Sequence, residues 1–111
     1  MLKVLWKIYA GFCPADEAGF NALAQAGKDA LGNEEPWLFL EKDLIRISFE
    51  GMYFPLEEIL ETLAAHLPPT ALGKLDCIDL EAWRLTRYEF CNGGFTKSTR
   101  SLNHVLDYSG H

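Results

Sequence analysis

Four hydroxyls stand beside two cations in the stretch Thr96-Lys97-Ser98-Thr99-Arg100-Ser101, a composition able to hold phosphate or carboxylate oxygens through charge-assisted hydrogen bonds. From Arg84 to Asn103 the cations are Arg84, Arg87, Lys97 and Arg100 against the single acid Glu89. That is a net +3 in a chain whose total is −6, so the remainder carries −9. A plainer reading exists, because polar β-formers and lysine also defend an exposed edge strand against pairing with other chains. As a binding device, the segment would grip an anionic partner or meet the acidic body of a second copy in an isologous dimer.

A second candidate surface is Gly51-Met52-Tyr53-Phe54-Pro55. A loop before a helix seldom needs three large apolar residues, so Met52, Tyr53 and Phe54 read as an exposed apolar patch. A hydrophobic staple at the helix start competes for one or two of them. Tyr9, Tyr53 and Tyr88 could add contact area with polar tips, while Trp6, Trp37 and Trp83 are expected to fill a sheet–helix interface.

Other chemistries find less support. Asp76, Asp79 and Glu81 lack the glycine and ligand pattern of a calcium loop, and strand alternation puts Asp76 opposite the other two. His66, His104 and His111 have no zinc spacing, and His66 suits the negative end of a helix. A cysteine enzyme would need Cys77 or Cys91 as thiolate beside an oriented base such as His104 with Asp107, and no spacing selects those residues. Gly93-Gly94 and the lone Gly11 match no nucleotide fingerprint. No catalytic residue, metal or cofactor is therefore expected.

These groups must be carried by a short series of elements. Leu2 to Tyr9 alternates, with Leu2, Val4, Trp6 and Ile8 on one face of a strand that Gly11 to Pro14 should break. Pro14, Asp16 and Glu17 start a helix near 14–31, whose alanines and Gly27 give a flat face for close packing, and Gly32-Asn33 stops it. Trp37–Leu40, a polar turn at Glu41-Lys42-Asp43 and Leu44–Phe49 read as a hairpin. Pro55 opens a second helix striped by Leu56, Ile59, Leu60, Leu63 and Leu67, which Pro68-Pro69 ends. Leu75–Leu80 and Trp83–Cys91 read as strands. Asn92-Gly93 then predicts a type I′ turn into a strand over Phe95–Leu102, with Phe90 opposite Phe95 and Tyr88 opposite Lys97.

The order strand, helix, strand, strand, helix, strand is that of ferredoxin-like domains, with a C-terminal hairpin added. The expected fold class is thus α+β: a ferredoxin-like β-α-β-β-α-β sheet with two helices on one face, extended by that hairpin, as a single domain over residues 1–111. Such an order says nothing about activity.

With 111 residues, 49% of them hydrophobic and 23% charged, the chain is sized for one core and excludes disordered, collagen-like and coiled-coil classes. The acidic balance argues against direct nucleic-acid binding. Three cysteines at no recognised spacing fit free thiols in a reducing cytosol. Lys7 interrupts the apolar start, and the apolar runs fall far short of the roughly 20 residues that span a bilayer. The chain accordingly reads as a non-enzymatic cytoplasmic interaction or regulatory protein with a protein partner, a second copy included, and no membrane association. A runner-up is an acidic nucleic-acid mimic that blocks a basic protein, which requires Glu34, Glu35, Glu41, Glu57, Glu58 and Glu61 to share one surface.

Overall fold

The computed structural model describes residues 4–31 and 36–103. Eight elements follow in order: β1 (Trp6–Cys13), α1 (Glu17–Leu31), β2 (Leu38–Glu41), β3 (Leu44–Gly51), α2 (Leu56–His66), β4 (Leu72–Asp79), β5 (Arg84–Cys91) and β6 (Gly94–Ser101). The architecture is α+β, with a six-stranded antiparallel sheet in the order β2-β3-β1-β4-β5-β6 and two helices. It is compatible with a ferredoxin-like arrangement.

Both helices cover the same sheet face. Alternation sends Ile8 and Phe12 of β1, Ile45 and Ile47 of β3, and Leu75 and Cys77 of β4 into one buried cluster with Leu23 of α1 and Ile59 and Leu63 of α2. Gly27 serves that layer, because a Cβ there would overlap the ring of Trp37. Helix α1 is capped by Asp16, whose Oδ1 accepts the Gly19 amide at 2.8 Å, satisfying a donor the helix leaves free. Helix α2 ends where Leu67 turns extended, as a residue before proline must. In its last turn His66 Nδ1 lies 3.1 Å from the Thr62 carbonyl. Asn92 and Gly93 both have positive φ, 54° and 81°, and Phe90 faces Phe95 while Tyr88 faces Lys97, as the turn chemistry predicts.

Several expectations require correction. Strand β1 runs through Gly11 to Cys13 instead of breaking there, because β3 and β4 pair with it on both sides along that stretch. Strand β4 likewise begins three residues early and contains Gly73, where a Cβ would collide with the Gly11 carbonyl oxygen. Helix α1 starts at Glu17, after Pro14. The readings of Leu2, Gly32-Asn33, Glu34, Glu35, His104, Asp107 and His111 lie outside the described residues.

Candidate functional site

The anticipated binding residues fall into three places. Phe90 is buried against the helix layer, so Arg84, Thr86 and Tyr88 share its face by alternation. Their partners Lys97, Thr99 and Ser101 share it too. Arg87 and Arg100 lie on the opposite, open face, in register with Asp76 and Leu85 respectively. The four cations therefore do not form one surface.

Nor are they equally free. Arg87 donates from Nε and Nη2 to the two carboxylate oxygens of Asp76 at 2.7 and 3.1 Å. These bonds hold the guanidinium above its usual pKa, and the arginine's charge is spent within the chain. Lys97 Nζ sits 5.9 Å from the centroid of the Tyr88 ring. Burial, then the nearby Cys77 and Glu57, raise the Tyr88 phenol. Arg84 and Arg100 form no ion pair among the described residues.

The aromatic loop divides in the same way. Met52 and Tyr53 are 55% and 59% exposed, whereas Phe54 is buried at 6% and packs with its ring centroid 5.9 Å from Trp37 and 5.2 Å from Phe49. Phe54 is thus a core residue, and the expected three-residue patch is reduced to two. Trp83 departs from expectation in the other direction. It is 43% exposed, occupies left-handed backbone at φ 57°, and donates from Nε1 to Asn103 at 2.9 Å. A bulky residue in that region is a backbone outlier that only its surroundings sustain.

Pairing brings these exposed groups to one end of the sheet. Gly51, Trp6, Asp79, Arg84 and Ser101 form one row across five strands. Bonds from the Leu5 amide to Gly51 and from the Leu80 amide to Leu5 extend the ladder just past it. Met52 and Tyr53 leave that row from β3, exposed Val4 precedes it on β1, and Trp83 precedes it on β5. Strands β3 and β5 are separated by three strand spacings, about 14 Å. The signal for Trp83 was absent from the sequence, since a tryptophan beside a strand reads as core.

The open face carries polar cross-strand pairs. Tyr9 donates to Glu50 at 2.8 Å, which also meets Lys7 at 3.5 Å. The Tyr9 bond and the Lys7 charge lower the Glu50 carboxyl, while loss of hydration and then Glu50 raise the Tyr9 phenol. Arg46 bonds Glu41 through Nε at 2.9 Å and lies 4.2 Å over the Phe39 ring. A depression of about 270 Å³ opens among Tyr9, Gly11, Arg46, Ser48, Lys74 and Asp76.

The remaining candidates are structural. Asp79 Oδ1 accepts the Glu81 and Ala82 amides at 3.0 and 2.9 Å, shaping the turn into β5. Among the described residues no group of three His, Cys, Asp or Glu side chains could hold a metal ion. Cys77 is buried, and burial with Asp79 nearby pushes its thiol up to about 11, the wrong direction for a nucleophile. Cys13 and Cys91 are exposed free thiols; loss of hydration and the Asp43 carboxylate raise Cys13. Glu41, across from Leu44 and on the Arg46 face, is separated by the sheet from Glu57, Glu58 and Glu61 of α2. Among the described residues no helix is long and apolar enough to cross a membrane. Comparison with known protein families, curated proteins and solved structures finds no match for this chain.

Proposed function

We propose that the chain is a non-enzymatic binding protein that engages a protein partner through the sheet end carrying Met52, Tyr53 and Trp83, with Arg84 and Arg100 as flanking cations. The observation that carries this reading is the exposure of Val4, Met52, Tyr53 and Trp83 along one end of the sheet. Large apolar groups left exposed along one sheet end mark contact surfaces more often than stability, and tyrosine, tryptophan and arginine are the side chains that anchor them. Arg84 lies in the adjoining row and Arg100 one residue further along β6. A partner segment with apolar side chains flanked by carboxylates matches that pattern, and the acidic body of a second copy is one such surface.

The strand order supports a ferredoxin-like reading of β1 to β4, with β5 and β6 as a hairpin added to the β4 edge. On this reading the addition widens the sheet and supplies Trp83 and Arg84 beside β4. The free, exposed thiols Cys13 and Cys91 support a reducing, cytoplasmic setting.

The test is quantitative capture from the native cell, paired with sedimentation of the pure protein to score self-association. A Tyr53→Ser, Trp83→Asn double variant keeps a residue that tolerates left-handed backbone. It should weaken partner capture or self-association at least tenfold, while Lys97→Ala leaves both intact. Equal binding by the double variant and the native chain sinks the assignment.

A further inference from the structure

We propose that the depression over Gly11 on the open sheet face is a binding site for a small oxyanion carried on a flat apolar body, an aryl phosphate or aryl carboxylate in chemical class. It lies five residues along β1 from the Trp6 row, about 17 Å at strand rise, and so is separate from the sheet end assigned to a protein partner.

Neither a clash nor a left-handed backbone requires glycine at position 11. Gly11 sits in the interior of β1 with strands on both sides. Its φ is not among the positive ones, and a Cβ there would meet only Leu44 Cδ1, at an ordinary 3.7 Å. Glycine inside a strand costs about 0.5–1 kcal/mol relative to alanine. A strand glycine often marks a bulge, a tight bend or a close approach by a ligand or another backbone, and the pairing register runs unbroken through Gly11 on both sides, so no bulge accounts for it. Gly73, one strand away, shows the contrast: its missing side chain is required by the Gly11 carbonyl oxygen.

The surroundings define what approaches. Arg46 and Lys74 are the direct cross-strand neighbours of Gly11, one on each side. Arg46 is ion-paired with Glu41 through Nε at 2.9 Å and lies over the Phe39 ring, both on β2. Its charge is thus partly met within the chain, and it offers the site hydrogen-bond donors from its terminal nitrogens, which bond nothing else among the described residues. Lys74 forms no ion pair among the described residues, including with Glu89, its neighbour on β5. The one carboxylate in the lining, Asp76, is neutralised by Arg87. Ser48 adds a hydroxyl, and Tyr9, 39% exposed, supplies a ring. One unpaired cation, Lys74, the terminal donors of Arg46, a hydroxyl and an aromatic wall around a floor of bare backbone suit a charged head with a flat tail. At about 270 Å³ the space falls just below the roughly 300–1,000 Å³ of ligand pockets, and so favours a small ligand.

Titration of the native protein with phenyl phosphate, followed by amide NMR shifts, tests the proposal. Saturable shifts should centre on Gly11, Arg46, Ser48 and Lys74, with inorganic phosphate binding more weakly. Lys74→Gln and Arg46→Gln should each weaken phenyl phosphate at least tenfold, and Lys97→Gln should change nothing. Gly11→Val should abolish binding while leaving the thermal midpoint equal or higher, which separates loss of the site from loss of the fold. Shifts that rise linearly without saturating, or full binding by Gly11→Val, overturn the site; inorganic phosphate binding as tightly as phenyl phosphate overturns the apolar part of the ligand.

Discussion

The two faces of the sheet solve different problems with the same strands. On the helix side Ile8, Phe12, Ile45, Ile47 and Leu75 are at most 1% exposed, and Phe12, Phe90 and Phe95 meet edge-on at centroid distances of 5.9 and 5.0 Å. On the open side the same strands pair Tyr9 with Glu50, Arg46 with Glu41 and Arg87 with Asp76. The first face holds the fold through volume and dryness, which tolerate little change. The second is held by exposed pairs worth little each, and is therefore free to be shaped for binding. A glycine on the open face can be optional, whereas a vacancy on the dry face is costly.

The contrast is broken most forcefully by emptying the dry face. Phe12→Ala should cost about 3–5 kcal/mol, read from urea unfolding; a loss under 1 kcal/mol would mean that the core does not depend on that ring. Next in size is alkaline sensitivity. The Cys77 thiol titrates near 11 in the fold against an ordinary 9.0, so the folded chain holds the proton longer. Its contribution is intact below pH 9 and is lost as pH rises toward 11, at most about 3 kcal/mol in all. A Cys77→Ala variant, itself less stable, should lack that part of the decline; parallel stability curves for the two proteins would refute it. Smaller again is the open-face pair Arg87–Asp76, where a double-mutant cycle with Arg87→Gln and Asp76→Asn should give a coupling of about 1 kcal/mol, reduced at high salt. The smallest effect has the opposite sign. Gly11→Ala should raise stability by about 0.5–1 kcal/mol, measured by thermal unfolding, and a drop would show that the glycine is structural.

Much of the fold was legible because local rules act within a few residues. Pro68 and Pro69 end α2, and Asn92-Gly93 sets the β5–β6 register, wherever the rest of the chain lies. Gly11 shows the opposite case. Beside Pro14 it reads as a breaker, yet pairing on both flanks carries the strand through it. The candidate sites were less legible. Charge counting singled out Arg87 together with Arg84, Lys97 and Arg100, but could not show that Asp76, eleven residues earlier, already holds it. Likewise Met52, Tyr53 and Phe54 are equal as an apolar run, and only packing against Trp37 and Phe49 makes Phe54 core.

What the amino-acid order determined by itself is the set of elements, their turns and the face on which each strand residue stands, since a period of two and turn backbone preferences are local physics. Beyond the two hairpins, which strands lie side by side was decided by tertiary structure alone, because burying the apolar faces of residues distant in the chain selects the neighbours. That choice placed Arg46 and Lys74 on either side of Gly11, and gave Arg87 its carboxylate.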